Sequence, residues 1–433
     1  MTKGTPWTTC ELASVCQKTS TWNPAKDKRA EFTYVDVSAV SNERFIIVNP
    51  SIIAAADAPS RARKILQAGD TIFATVRPSL RRVAFVKSEY DNQIASTAFC
   101  VLRPSPKELC PRFLFFGLLT DDICRRIAEL ERGVAYPAVT DSDILRQRIP
   151  LPPLPEQKKI AAVLSKHWKA VEAQVSIIGN LRELKKSMMN RLFTHGLRGE
   201  PLKKTEIGMM PRSWGVKSIA QLIADNTLVE IQDGNHGEKH PVKSDFVADG
   251  IPFITANCFE DGNIVINTMQ TLTPGFVRTL RIGFAKPGDV LLTHKGTIGE
   301  TSIVSQEHEL LVLSPQVTYY RINGSNKSLI AGYLQSVFQT PSFAAALKSL
   351  SAGQSTRAYI SITNQKTIRI PMPTKEEQAE IAAVGRLLGE KLLVHEAKKS
   401  ALEDLFKAML NKLMTGAIRV KDWDVDTREV EGC

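Results

Sequence analysis

Arg148-Ile149-Pro150-Leu151-Pro152-Pro153-Leu154-Pro155-Glu156-Gln157-Lys158-Lys159-Ile160-Ala161-Ala162-Val163 has a second copy in the chain. It returns 221 residues later as Arg369-Ile370-Pro371-Met372-Pro373-Thr374-Lys375-Glu376-Glu377-Gln378-Ala379-Glu380-Ile381-Ala382-Ala383-Val384. Without a gap, the same offset carries Leu181, Leu184, Lys186, Met188, Asn190, Leu192 and Thr194 onto Leu402, Leu405, Lys407, Met409, Asn411, Leu413 and Thr415. A repeat of this length means two copies of one structural unit. Working outward, the match loosens. Gly69-Asp70-Thr71-Ile72-Phe73 pairs with Gly288-Asp289-Val290-Leu291-Leu292, and Ala84-Phe85-Val86 with Ser302-Ile303-Val304. Ser96 through Arg103 pairs with Ser314 through Arg321, and Trp7 with Trp214.

The closely repeated parts have the spacing of helices. Apolar residues recur every three to four positions at Ile160, Leu164, Trp168, Val171, Val175, Ile178, Leu181, Leu184, Met188 and Leu192. The second copy runs through Ile381, Val384, Leu388, Leu392, Leu402, Leu405, Met409 and Leu413, with His395, Lys398 and Lys399 interrupting its middle. Prolines precede the first helix, Thr374-Lys375-Glu376-Glu377 reads as a capping box for the second, and Gly196 and Gly416 stand as stops. A helix of about forty residues is roughly 60 Å long, which suits a coiled coil better than a globular helix. The other copy is the simplest partner, in antiparallel sense; packing of each helix on its own domain is the alternative.

The loosely repeated parts read as α+β. Strand-like runs fall at Phe45–Val48, Thr71–Val76, Val83–Val86, Val290–Thr293 and Val317–Arg321, with helical segments near Pro111–Glu131 and Ser328–Ser349. The expected layout is a globular domain over residues 1–150, a long spacer helix over 151–195 and a linker over 196–211. A second globular domain over 212–371, a second spacer helix over 372–416 and a tail over 417–433 follow. The fold class is α+β, with a pseudo-two-fold internal repeat.

Lys and Arg number 56 against 45 Asp and Glu, and this surplus of +11 suits a polyanionic partner such as nucleic acid. The seven cysteines form no CxxC pair, which argues against zinc and a disulfide framework and for reduced thiols. No secretory signal is visible, and the longest apolar run, Phe113 to Leu119, is far too short to span a bilayer, so a cytoplasmic location is expected. Enzyme motifs are missing: the chain has no GxxxxGK[ST] loop, no HExxH, no EF-hand and no Asn-Pro-Pro-aromatic tetrapeptide. Thr293-His294-Lys295 lacks the acid a nuclease needs before its lysine, and Glu183-Leu184-Lys185 lies on a helix, where a solvated face explains it. No catalytic residue, metal or cofactor is expected. A protein-only coiled-coil adaptor and a self-contained enzyme remain the competing classes. The adaptor would show no salt-dependent DNA affinity.

Pro-x-Pro-x-x-x-Glu-Gln-x-x-Ile-Ala-Ala-Val, present twice at the head of two long helices, resembles the specificity subunit of type I restriction–modification systems. Gly288-Asp289-Val290-Leu291-Leu292-Thr293-His294-Lys295-Gly296-Thr297-Ile298-Gly299 and Asp233-Gly234-Asn235-His236-Gly237 look like that family's target-recognition domains. The resemblance implies that each domain reads one half of a bipartite target in double-stranded DNA. It implies too that the helices form an antiparallel coiled coil that spaces the domains and docks partners. Two modification methyltransferase subunits and the restriction (motor-nuclease) subunits would then be separate chains.

Base reading needs donors and acceptors on loops, and positioning needs charge on phosphates. In the first domain Arg77-Pro78-Ser79-Leu80-Arg81-Arg82 replaces the Gly-rich loop, which makes Arg77, Arg81 and Arg82 its DNA-binding candidates. The second domain offers Asn235, His236, His294, Lys295 and Arg357. Tyr136 and Tyr359, in equivalent loops, could be core or contact.

Overall fold

A computed structural model describes residues 7–23, 29–235, 239–265, 269–326, 328–351 and 359–431. The chain forms two compact units, one from residues 1–175 with 398–433 and one from 176–397. Both are α+β and share one plan.

The globular domain of the first unit has two four-stranded sheets. One orders its strands Cys16–Gln17, Phe99–Pro104, Thr71–Ala74 and Val83–Phe85; the other Ser51–Ala54, Glu31–Val35, Ile94–Ser96 and Ala62–Ile65. In the second unit the matching sheets run Leu228–Asp233, Val317–Ile322, Val290–Thr293, Thr301–Ile303, and Phe246–Val247, Gln270–Leu272, Ile251–Ile254, Leu311–Leu313, Phe284–Ala285. Each second sheet contains one parallel pair, Tyr34 beside Ile94 and Phe253 beside Val312. Two helices follow in each domain, Pro111–Leu118 with Asp121–Ala128, and Ala331–Phe338 with Pro341–Ser351.

The repeated Gly-Asp dipeptides are structural. Asp70 accepts two hydrogen bonds from Arg103, both 2.8 Å, and Asp289 two from Arg321, 2.9 and 2.7 Å. The two aspartates are almost fully buried, and paired guanidinium donors satisfy them where a lone carboxylate would be costly.

The long helices are Leu154–His195 and Lys375–Met414, each about 60 Å long. Each helix contributes one end to each unit. In the first unit Trp168 and Phe406 pack with ring centroids 4.9 Å apart; in the second Arg182 donates to Glu396 at 3.0 Å. Rising numbers on one helix meet falling numbers on the other, so the pair is antiparallel. Gly196 and Gly416 end them with φ of 63° and 73°. A side chain there would also press on Pro211 in one unit and on the Trp7 ring in the other.

The repeated Glu-Gln is a clasp. Gln157 accepts from Cys110 N at 2.9 Å and donates to the carbonyls of Glu108 and Pro152, both at 2.9 Å. Gln378 does the same with Ile330 N at 3.1 Å, Ser328 O at 3.0 Å and Pro373 O at 3.2 Å. Glu377 accepts from the Trp214 indole at 2.9 Å and from Leu197 N at 3.1 Å, just past the end of the other helix. Glu156 accepts from Trp7 at 3.2 Å and, at 2.8 Å on each oxygen, from Arg419. The motif thus ties together a domain's first tryptophan, its helical hairpin, the head of one long helix and the end of the other.

Hydrogen bonds from Arg419 hold the Glu156 carboxyl below the ordinary glutamate value of 4.5. A lowered folded value gives stability that is fully present above the unfolded value and is lost as pH falls through the folded one. Glu156→Gln is therefore expected to cost stability near neutral pH, and the gap to the parent protein narrows once the pH drops below about 4.5. Denaturant midpoints across pH 3–7 test this; a gap that widens in acid would refute it.

Three local expectations are corrected. Phe45–Val48 is no strand: Phe45 turns left-handed at φ 50° and packs its ring 5.7 Å from Trp168. The capping box at Thr374 is half made, with Thr374 Oγ1 accepting from Glu377 N at 3.3 Å while the Glu377 carboxylate serves the clasp. The linker holds a β-hairpin, Leu202–Thr205 with Gly208–Pro211. Among the described residues no helix is long and apolar enough to cross a membrane.

Candidate nucleic-acid interface

In each globular domain the same two loops meet. The strand Thr71–Ala74 runs on to Val76, which bridges Ala138; the strand Val290–Thr293 runs on to Lys295, which bridges Tyr359. Val139 N donates to Thr75 O at 2.9 Å, and Ile360 N to His294 O at 3.1 Å. A diverged sequence therefore keeps one loop platform, with different side chains mounted on it.

In the first unit Arg77 is exposed, with φ 49° where the second unit has Gly296 at φ 79°. Its amide donates to Pro137 O at 2.7 Å, and its guanidinium lies 5.6 Å from the centre of the Tyr136 ring. Tyr136 is 75% exposed and Val134 wholly so. An arginine over an exposed aromatic offers both a charge and a stacking face to a nucleic acid. Arg81 and Arg82 are placed differently. Arg81 forms a 2.6 Å ion pair with Asp121, and Arg82 donates to the carbonyls of Val37 and Val40 at 3.0 and 2.5 Å. Arg82 ties a loop to the sheet instead of reaching outward.

In the second unit Lys295 is exposed, together with Gly296 and Thr297. His294 has no exposed surface, so its ring supports the loop from within and does not face a ligand. Asn235 is also buried, with its amide donating to Lys239 O at 2.7 Å. It closes a loop that leaves Lys239 and His240 exposed. His236 and Arg357 lie outside the described residues. Tyr359 is half-buried, its ring 5.3 Å from that of His294 in a T-shaped contact.

Behind this platform lies a buried polar network that sequence reading misses. Burial pushes the Tyr320 phenol well above its ordinary value of 10, so it stays neutral and donates to Gln365 Oε1 at 2.6 Å. Gln365 Nε2 then donates to Ile360 O and to Thr318 Oγ1, both at 3.0 Å. Thr318 spends its one proton on Asp233 Oδ1 at 2.5 Å. His294 Nδ1, 2.7 Å from the same hydroxyl, must therefore be the donor, which fixes the protonated nitrogen of the ring. Asp233, His294, Thr318, Tyr320 and Gln365 are each at most 3% exposed.

Glu260, Asp261 and Glu396 are close enough together to share a metal ion. The Arg182 guanidinium already bridges them at 3.6, 2.7 and 3.0 Å, so the cluster is a salt-bridge network that seats the long helix.

Comparison with known proteins agrees with this geometry. The family model for the type I restriction modification DNA specificity domain matches residues 5–178 and again residues 227–404. The type I restriction enzyme MjaVIII specificity subunit of Methanocaldococcus jannaschii is 27% identical over 337 residues, 76% of this chain and 75% of that one. Among solved structures, a chain from a study of complex assembly and conformational transition of the type I R-M system aligns at TM-score 0.54 with 26% identity. That alignment covers 95% of this chain and 98% of the other. The type I restriction-modification S subunit from M. genitalium aligns at TM-score 0.60 over 96% of this chain and 97% of its own, with 14% identity, a likeness of fold alone.

Proposed function

Because the chain belongs to the type I restriction–modification DNA specificity family, with one recognition domain in each of its two units, we propose how its residues divide the work of reading a bipartite target. Arg77 and Lys295 stand exposed on equivalent loops and contact the DNA directly, with Tyr136 as a stacking face. His236 and Arg357, named from the sequence alone, are assigned the same role. Arg81, paired with Asp121, offers a phosphate contact at the rim, while Arg82, Asn235 and His294 act through the loops they hold. Specificity subunits of this family bind DNA and assemble with methyltransferase and restriction subunits; here two methyltransferase subunits are expected, one for each copy of the repeated scaffold. The chain contributes recognition and no chemistry, and it works in the cytoplasm.

The observation that carries this reading is the loop platform, built twice with the same backbone bridges and different side chains. Two equivalent surfaces with unlike chemistry are what a two-part, asymmetric target requires. The test is co-expression with a methyltransferase subunit of the type I family that it assembles with, followed by methylome sequencing. A bipartite methylated motif supports the proposal. Stable association without any such motif would leave a protein-only adaptor.

A further inference from the structure

We infer that Thr318 and Gln365 are positioning residues for the half of the target read by the second unit, because one buried hydroxyl joins the three segments that form its reading surface. The inference rests on the reading that these loops face DNA.

Thr318 Oγ1 is the junction. Through Asp233 it holds the segment that continues to Gly234 and Asn235, whose amides are docked on Val317 O at 2.8 Å and Leu313 O at 3.1 Å. Through His294 it holds the segment that continues to exposed Lys295, Gly296 and Thr297. Through Gln365, which also grips Ile360 O, it holds the segment that contains Tyr359. Each bond in this chain has an assigned donor and acceptor, and with Asp233 as an acceptor, reversing any one of them alone leaves two donors or two acceptors face to face. A network satisfied in only one arrangement specifies one geometry.

The first unit shows that the fold does not need this network. By strand register Cys100 stands where Thr318 does and Leu102 where Tyr320 does. The repeat offset puts Ile144 at the position of Gln365, and Thr75 precedes Val76 as His294 precedes Lys295. There the platform is held by backbone bonds, by Thr75 donating to Ala98 O, and by an Arg132–Asp143 ion pair at 3.1 Å that lies outside these positions. The same scaffold is therefore stable with apolar groups in these places. What the polar set adds in the second unit is a fixed placement of Asp233, His294 and Ile360 relative to one another. Direct readout depends on such placement, since hydrogen bonds to base edges weaken steeply when misaligned.

The test uses the complex with the methyltransferase, and duplexes carrying the methylome-derived motif or single base-pair changes in either half. A correctly read base pair is expected to discriminate by about tenfold or more. In Thr318→Val, discrimination within the half read by the second unit should fall to about twofold, while discrimination in the other half stays at the parent level. Thr318→Ser should restore it. Gln365→Leu, which places an apolar group where the first unit has one, should give a partial loss and guards against simple unfolding of Thr318→Val. Full discrimination in both halves for both variants would overturn the inference. So would a uniform loss of affinity that leaves the ratios unchanged, because that is what plain destabilisation produces. If the parent complex has no bipartite motif, the functional reading fails first, and the two failures are distinct.

Discussion

Exchanging residues 219–368 for the matching segment of a relative with a different target is expected to replace one half of the methylated motif and leave the other half unchanged. The exchanged segment leaves and re-enters the scaffold at one place, since Ile219 N donates to Ile368 O at 2.9 Å. What stays behind is the clasp: Trp214, the strand Gly215–Ser218 paired with Arg369–Met372, and Glu377 with Gln378. The replaced part carries both sheets of the second domain and all of its candidate contacts. Each mismatched base pair costs roughly 1–3 kcal/mol, and several positions change together, so the switch should be close to complete. Methylome sequencing of cells that carry the hybrid and the methyltransferase reads the result. A motif altered in both halves, or in neither, would sink the assignment of one half to each domain.

The second large effect falls on the clasp. Trp214→Ala removes one of the largest fully buried side chains, 1% exposed, and leaves the buried Glu377 carboxylate without its indole donor. The cavity alone costs about 3–5 kcal/mol. For a unit of this size that corresponds to a fall in Tm on the order of 10 °C. Trp7→Ala, at the same place in the repeat, should cost distinctly less. Trp7 is only half-buried, and Glu156 keeps its two bonds from Arg419 after the indole is gone. Thermal unfolding of both variants makes the comparison; equal losses would show that the two clasps do not differ as drawn.

The scaffold was legible because its function is geometric. Glu156, Gln157, Glu377 and Gln378 each serve several fixed partners, so little variation is tolerated between the copies and a constant offset of 221 residues survives. Helix period and terminal glycines then placed both long helices to within a few residues. The recognition domains were legible only in outline. The sequence offers His294 as a contact, yet the strand from Val290 on is buried on both faces and alternation carries no information there. Thr318 and Gln365 gave no signal at all. A hydroxyl inside a strand and an amide in a short helix look like surface residues until the fold brings them together, and the first unit, with Cys100 and Ile144, offers no second copy to reveal them. In the linker, glycines and prolines masked the short alternation around Lys203 and Met210 that pairs as a hairpin.

The sharing of both long helices also sets an order on biosynthesis. Residues 176–397 make a unit that is continuous along the chain, whereas residues 1–175 need 398–433 to complete theirs. On the ribosome, Phe116 and Trp168 emerge early and must wait for Phe406, which packs on both. At about 5–20 residues per second that delay is tens of seconds, during which the part translated first keeps an apolar face open while the part translated later can close. The domain that is made first is thus finished last, and the nascent chain passes through a state in which its earliest residues most need protection from misassembly.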